Sequence, residues 1–316
     1  MNTFCKHFMA SQGWRLRWWR NYFLSRSAIL LATLCGLPGI RFAWFGIHCA
    51  RVCRKKGKTD IAEYLNVTPV NCWRYFEFDF ARRVLINNPP VGRALDISSP
   101  NLFGLYLLNK RRISHLDVVN PDTLDLATTR ALYEACIGDA EGRVEYHKKY
   151  VNELQWGDNT FDVIWSICVI EHIPGSGDEE AISKIERLLK PGGLLVLTTT
   201  VSAVGWDEYR DQDMYSLPEQ NVQSSSGVFF ERWYDESSVK GRLFDKMPKM
   251  QLEQMTIWGE TKAGWFDAYQ RRWARMGASE TCKDALNMLT RFRKYSFAGE
   301  LPGAGVVCMC LRKKME

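Results

Sequence analysis

The stretch FDVIWSICVIEHIP, residues 161–174, decides the fold that the rest of the chain adopts. Its first part is mostly apolar, which predicts a strand over Phe161–Ile167 that is buried on both faces of a parallel sheet. An amphipathic helix is predicted over Glu179–Leu189, and a Pro-Gly-Gly turn at 191–193 ends it. A second apolar strand, Leu194–Thr200, follows that turn. The order strand, helix, strand predicts a right-handed crossover between parallel strands.

The same alternation extends upstream of this unit and gives an α/β fold class with a doubly wound, Rossmann-like sheet. Upstream strands are predicted at 93–97, 114–119 and 143–148, and helices at 72–87, 101–110 and 122–136. The C-terminal third is predicted to hold helices at 235–245, 265–276 and 281–293, and strands at 251–259 and 306–312. A long polar loop is expected over Ser202–Gly227, at the carboxyl end of the strand that precedes it, where open α/β sheets bind ligands.

Composition describes a chain that can build a sizeable core. It has 316 residues, 46% of them hydrophobic and 25% charged, which suits one or two globular domains. The ten cysteines form no CxxC pair and lack partners at zinc spacing, so reduced, mostly buried thiols in a cytosolic setting are expected, with no metal.

The basic charge is concentrated at the N-terminus. Residues 1–59 hold eleven Lys and Arg, ten aromatic residues and no acid, whereas the remaining chain has a net charge of −5. An apolar run at 28–40 contains Pro38-Gly39, which breaks a helix. Residues 1–58 are therefore interpreted as an interfacial segment that binds an anionic membrane surface. A membrane span, an organellar presequence and a helical cap on the catalytic domain remain open alternatives.

Strand one ends in the sequence RALDISSPNLFGLYL, residues 93–107, where a nucleotide-binding fold normally has a glycine-rich turn. The turn here contains Ser98 and Ser99 instead of glycine. Serine still presents a backbone N–H and a hydroxyl, so an ordered turn of different shape is expected. Asp96 and Asp117 are placed at the ends of the first two strands, and lone carboxylates are rarely buried as packing. The absence of G-x-G-x-x-G argues against a nicotinamide cofactor.

FDVIWSICVIEHIP together with ERLLKPGGLLVLTTT, residues 186–200, resembles the class I S-adenosylmethionine-dependent methyltransferases. The resemblance covers roughly residues 84–200 and implies S-adenosylmethionine as the cofactor. It implies that Asp96 lies near the methionine part and that Asp117 accepts the ribose hydroxyls. Tyr150 stands where the family often has an acid facing adenine. The full set of cofactor residues expected from the resemblance is Asp96, Ser98, Ser99, Asp117, Tyr150, Val151 and Ile167.

The resemblance implies methyl transfer, and the acceptor is expected to be a small molecule, a lipid or a glycolipid precursor at a membrane surface. His172 lies just past strand four and is the candidate base for an acceptor hydroxyl, with His147 as a weaker candidate. Further candidates for lining an acceptor pocket are Trp206, Tyr209, Tyr215, Arg232, Trp233 and Tyr234. A scaffold that keeps the fold without the cofactor is the alternative. A Trp-rich apolar segment fits lipid better than nucleic acid.

The predicted organisation has three parts and places the protein in the cytoplasm, peripherally at a membrane. Residues 1–58 form the basic extension, 59–92 a helical cap and linker, and 93–316 the methyltransferase domain, with substrate-side insertions at about 202–248 and 262–300. The sequence carries no signal for an oligomeric state.

Overall fold

The computed structural model describes residues 14–138, 143–211, 223–224 and 227–315. The helices that precede the first strand are α1 (Trp14–Leu34), α2 (Ile40–Lys55), α3 (Thr59–Val67) and α4 (Arg74–Asn87). Strands and helices then alternate as β1 (Val91–Ile97), α5 (Leu102–Asn109), β2 (Ile113–Val119), α6 (Thr123–Ile137), β3 (Val144–His147), β4 (Phe161–Ile167), α7 (Gly177–Leu188) and β5 (Leu189–Val201). The C-terminal third adds β6 (Trp206–Arg210), β7 (Gln223–Ser224), β8 (Gly227–Trp233), β9 (Met250–Glu260), α8 (Trp265–Met276), α9 (Asp284–Arg291), β10 (Phe292–Tyr295) and β11 (Gly305–Lys313).

The main sheet has the strand order β10-β9-β11-β5-β4-β1-β2-β3. Strands β1 to β5 pair in parallel, while β11 pairs antiparallel with both β5 and β9. The chain runs outward from β1 through β2 to β3 and then returns to the other side of β1 as β4. The carboxyl ends of β1 and β4 therefore flank the crevice where such sheets bind ligands. The α/β fold class and the parallel alternation predicted from the sequence are confirmed.

Two apolar layers cover the sheet, one on each face. The larger layer includes α2, α4, α5 and α6 and is dense in aromatic rings. Phe42 of α2 lies 5.0 Å from Phe78 and 4.7 Å from Tyr106, measured between ring centroids. Phe76 of α4 stacks at 4.0 Å on Trp258 of β9. The N-terminal helices therefore share one core with strands that come much later in the sequence.

Helix α2 begins where the sequence predicted a break. Gly39 has φ +74°, and a Cβ at this position would lie 1.8 Å from the carbonyl oxygen of Tyr75. Only glycine allows this approach between the start of α2 and α4. The apolar face of α2 is then buried, at Phe42, Ala43 and Ile47 among others, so this helix packs in the way that the helical-cap alternative describes.

Helix α1 differs from α2 because much of its apolar surface faces outward. Trp18 and Ile29 are buried, whereas Phe23 is 62% exposed and Leu34 is 77% exposed. Across the described ranges, each helix is too short or too polar to cross a membrane. None of the described helices therefore supports the alternative of a membrane span.

The largest departure from the predicted elements follows β5. The expected loop at 202–227 instead contributes strands β6 and β7, which pair antiparallel with β8 in a small sheet of their own. The helix expected at 235–245 is broken into short turns, Glu236–Ser238 and Val239–Leu243. The polar composition of the segment hid the strands because their side chains are mostly only half-buried.

Candidate functional site

The turn after β1 is built around a serine in the left-handed conformation. Ser98 has φ +49°, which glycine adopts readily and serine rarely. Its backbone N–H and its hydroxyl both donate to the carbonyl of Val119, at 2.8 and 3.0 Å. The Ser99 hydroxyl accepts from the N–H of Ile167 at 3.0 Å. The turn thus keeps a glycine-like backbone and joins the ends of β1, β2 and β4, and it brings the predicted residues Ser98, Ser99 and Ile167 together.

Asp96 supports this turn from inside the core. It is 1% exposed, and one of its oxygens accepts from the N–H of Ser99 at 2.9 Å. Its other oxygen faces α5, where a Cβ on Gly104 would lie 3.3 Å away. Burial raises the pKa of Asp96 to about 7. The sequence analysis placed Asp96 correctly near the end of β1. No feature of the sequence indicated that its side chain is buried beneath α5.

Asp117 occupies a different place from the predicted one. Strand β2 continues to Val119, so Asp117 does not end it. Its carboxylate is fully buried and accepts from Arg93 Nε at 2.8 Å. The same carboxylate lies 2.9 Å from His147 Nε2. A ribose would have to displace these partners, so the proposed ribose contact stays a prediction that this geometry does not favour.

The residue that follows the end of β2 is Asn120, which sequence analysis missed. It is 6% exposed, and its amide donates to Asp125 Oδ2 at 2.8 Å. Its side-chain oxygen accepts from the N–H of Asp122 at 2.9 Å. The available signal was its position between the last apolar residue of the strand and Pro121. Asn120 is better placed than Asp117 to face a ligand at the carboxyl edge of the sheet.

Tyr150 and Val151 lie after β3 at a short 3₁₀ turn, Val151–Glu153. The N–H of Tyr150 donates to Glu153 Oε2 at 2.8 Å, which fixes the entry to the turn. Val151 is 6% exposed and packs in the apolar layer opposite α5. Their assignment to the adenine side of a cofactor remains a prediction.

A buried ion pair from α4 reaches the ends of β4 and β5. Glu77 is fully buried and pairs with Arg74 at 2.6 Å. Its other oxygen accepts from Cys168 Sγ at 2.8 Å and from Thr198 Oγ1 at 2.5 Å. Cys168 itself has φ +48°, which makes the turn after β4 a second left-handed turn at this edge. Sequence analysis missed Arg74 and Glu77 because nothing in a helical pattern shows that two charges face inward.

Beside this pair lie two carboxyl groups with incomplete hydrogen bonding. Glu171 is fully buried, and its Oε2 accepts from Thr199 Oγ1 at 3.1 Å. Among the described residues, neither Glu171 Oε1 nor Glu231 Oε1 has a hydrogen-bond partner. Burial raises the pKa of Glu171 to about 7 and raises that of Glu231 well above its ordinary range. Both groups can therefore hold a proton at neutral pH.

His172 joins these carboxyl groups to the small sheet. Its Nδ1 lies 2.8 Å from the carbonyl oxygen of Phe230, which can only accept, so Nδ1 donates. Burial lowers the pKa of His172 to about 4, so the ring is neutral at pH 7 and Nε2 carries the lone pair. That atom lies 3.9 Å from Glu231 Oε2. Nε2 of this neutral ring can accept a proton from a bound molecule.

Of the residues predicted to line an acceptor pocket, two bind the main domain and three pack within the small sheet. Arg232 and Tyr234 are bound to Asp178 of α7, both at 2.7 Å, and so hold the small sheet to the main domain. Trp206 and Trp233 stack on each other at 5.8 Å, and Trp206 remains 50% exposed. Tyr209 of β6 packs edge to face against Phe229 of β8. Tyr215 lies outside the described residues.

The family described as a methyltransferase domain matches residues 104–197. This range begins in α5, just after the serine turn, and ends within β5, so it contains β2, β4 and the Glu171–His172 pair. It also covers the first stretch whose resemblance suggested the family, residues 161–174, and all but the last three residues of the second, 186–200. No curated protein matches the sequence.

Several solved structures resemble the fold at low sequence identity. The [4+2]-cyclase SpnF is 16% identical, with 76% of this chain and 80% of that chain covered and a TM-score of 0.45. A Burkholderia thailandensis 1,6-didemethyltoxoflavin-N1-methyltransferase is 13% identical, with coverage of 75% and 78% and a TM-score of 0.46. The N-methyltransferase NodS from Bradyrhizobium japonicum WM9 is 13% identical, with coverage of 76% and 86% and a TM-score of 0.41.

The domain match covers β2, β3, β4 and most of β5, together with the left-handed turn after β4. In the turn after β1, Ser98 has the positive φ that glycine adopts readily. Residues 104–197 match the methyltransferase domain family, and this part of the chain is similar to the class I S-adenosylmethionine-dependent methyltransferases.

Proposed function

We propose that the protein transfers a methyl group from S-adenosylmethionine to a small-molecule, lipid or glycolipid-precursor acceptor that reaches the site from an anionic membrane surface. The proposal that the protein binds a membrane rests on the solvent-exposed apolar side of α1. Trp19, Phe23 and Leu30 are each more than half exposed, and they lie on one side of the helix at helical spacing. Leu34 and Trp44 extend this apolar face, which we call the α1 face.

Charge supports the same surface. The segment around the α1 face has eleven basic residues and no acid up to position 59, so it complements anionic headgroups. Exposed Trp and Phe side chains beside Arg are typical of segments that lie at the interface. Each Lys or Arg near an anionic surface contributes roughly 1 kcal/mol, which salt screens, whereas apolar burial is not screened.

At the site, S-adenosylmethionine supplies a methyl group on a positively charged sulfur, which a nucleophile can accept. The Ser98–Ser99 turn would hold the cofactor against the end of β1, and Asn120 would face it from the end of β2. Neutral His172 would take the proton of an acceptor hydroxyl or amine, because its Nε2 carries the lone pair. Glu171 and Glu231, with one unpaired oxygen each among the described residues, would orient the same donor group.

Membrane binding is tested with the full-length protein and its variant Trp19→Ser/Phe23→Ser/Leu30→Ser. These side chains are exposed, so the variant should keep its melting temperature and lose binding to phosphatidylserine-containing vesicles. The matched control changes three apolar residues exposed elsewhere, as Leu124→Ser/Leu252→Ser/Met276→Ser. Equal sedimentation of wild type and the α1-face variant with vesicles would refute the membrane proposal. Removal of residues 1–58 is a poor test, because α2 belongs to the core.

Cofactor binding and transfer are tested separately. Calorimetry should detect S-adenosylhomocysteine binding to the wild-type protein, and its absence would favour the scaffold alternative. Transfer is then followed with methyl-labelled S-adenosylmethionine and vesicles of a total polar lipid extract. Label in the lipid fraction supports a lipid acceptor, whereas binding without label in that fraction refutes the lipid acceptor and leaves only a soluble one.

A further inference from the structure

The edge of the main sheet carries a cluster of two histidines and two carboxylates that is separate from the Ser98–Ser99 turn and from His172. The sequence HLD on β2 places His115 and Asp117 on one sheet face, and EYH on β3 places Glu145 and His147 on the same face. Asp117 is the register partner of Glu145 in the parallel pair β2–β3. Period-two alternation on two neighbouring strands thus brings all four side chains together.

The distances within this cluster match those between ligands of one metal ion. His115 Nε2 lies 3.5 Å from Asp117 Oδ2 and 3.7 Å from Glu145 Oε1. Zinc bonds of about 2.0–2.2 Å in a tetrahedron place neighbouring ligand atoms about 3.3–3.6 Å apart. One ligand atom from each of these three residues can be chosen so that all lie within 4.8 Å of one another.

His147 lies next to the same two carboxylates, Asp117 and Glu145. Its Nε2 lies 3.8 Å from Glu145 Oε2 and 2.9 Å from Asp117 Oδ1. It can serve as a fourth ligand or can bind the second oxygen of Asp117 and orient that carboxylate. Mixed imidazole and carboxylate ligands suit divalent first-row transition ions, zinc among them. The side chains of His115 and His147 are 23% and 24% exposed, so an ion has a path from solvent.

The positive charge of Arg93 disfavours the binding of a cation at this cluster. Its guanidinium donates to both oxygens of Asp117, at 2.8 and 3.3 Å, and lies over the ring of Phe161 at 5.1 Å. The arginine balances the buried carboxylate when no ion is bound. Its side chain is 35% exposed and can therefore move outward. Arg93 and an ion compete for the same carboxylate.

We propose that His115, Asp117, Glu145 and His147 form a binding site for a divalent transition-metal ion, with Arg93 as the internal competitor. The ion would fasten the edge strand β3 to β2. The loop that follows β3 carries Tyr150 and Val151, so the site would also fix the start of that loop. Sequence analysis expected no metal because it considered only cysteine spacing, whereas this site has no cysteine.

The test is calorimetric titration of the full-length protein with ZnCl₂, in a phosphine reductant that keeps the thiols reduced. One ion per chain is expected. His115→Gln and Glu145→Gln should each weaken binding at least about tenfold. Both side chains are partly or largely exposed, so these variants should fold. Arg93→Gln should bind zinc several-fold more tightly and gain more in melting temperature from zinc than the wild type does.

A thiol site is the competing source of zinc binding, because Cys49, Cys53 and Cys136 lie close together between α2 and α6. Cys53→Ser is therefore the matched control, and it should leave the affinity unchanged. Loss of binding in Cys53→Ser with retention in His115→Gln would overturn the proposal. So would the absence of a stoichiometric ion in the wild type, or an Arg93→Gln variant that binds more weakly.

Discussion

Replacing Glu171 by Gln should remove a pH-dependent cost to folding. Burial raises the pKa of Glu171 from 4.5 to about 7, and the side chain is fully buried. Between these two values the folded protein binds more protons than the unfolded chain, so stability falls as pH rises through this window. The shift corresponds to about 3 kcal/mol at 1.36 kcal/mol per pKa unit. The cost is absent below pH 4.5 and complete above pH 7.

Glutamine has the shape of the protonated carboxyl group but does not titrate. We therefore expect the free energy of unfolding of Glu171→Gln, relative to wild type, to rise by about 3 kcal/mol between pH 4.5 and pH 8. Asp96, Asp125 and Asp284 also have raised pKa values, but they occur in both proteins and cancel in the difference. Equilibrium urea unfolding followed by circular dichroism at several pH values measures this difference.

The control is Glu180→Gln on the exposed surface of α7, which removes a charge without changing a buried group. Its free-energy difference from wild type should vary little over the same pH range. If the difference for Glu171→Gln is equally flat, then Glu171 is not protonated in the folded protein. The account of a proton-holding cluster beside His172 would then be wrong.

Three further substitutions test other parts of the structure. Gly39→Ala should destabilise the protein by several kcal/mol more than Gly36→Ala, because both glycines have φ +74° but only Gly39 faces a carbonyl at contact distance. The melting temperatures of the two variants measure this difference. An equal drop in melting temperature would contradict the packing of α2 on α4. Ser98→Leu should abolish S-adenosylhomocysteine binding in calorimetry, whereas normal affinity would place the turn away from the cofactor. His172→Gln should lower kcat about 10²- to 10⁴-fold with little change in KM, and an unchanged kcat would exclude His172 as the base. Because burial lowers the pKa of His172 to about 4, the activity of the wild type should not depend on the titration of His172 above pH 6.

The fold could be predicted largely from the sequence because its strands and turns leave local signals. The predicted bounds of β4 and α8 coincide with those observed, since each is a continuous pattern ended by turn residues. The long loop after β5 could not be resolved into β6–β8, because strands that are half-buried on both faces lack alternation.

The candidate site was less accessible to sequence reasoning. The serine turn, Asp96 and His172 were placed at the correct sheet edge by counting from strands. Asp117 was not, because it lies two residues inside β2, which ends at Val119 as predicted, so Asp117 does not stand at the carboxyl end of the strand. Glu77 could not be found at all, since its role depends on α4 packing against strands more than 90 positions away in sequence. Such contacts are set by tertiary structure and leave no periodic trace.

The stacking of Phe76 on Trp258 has a consequence for how the chain is made on the ribosome. These rings are 182 positions apart. At synthesis rates of about 5–20 residues per second, Phe76 would wait roughly 10 to 35 s for its partner. During that interval the side of α4 that carries Phe76 lacks its partner strand, while the strongly basic N-terminal segment has already been made. Nascent chains of this protein should therefore depend on holding factors, or on early contact with a membrane, until β9 has emerged.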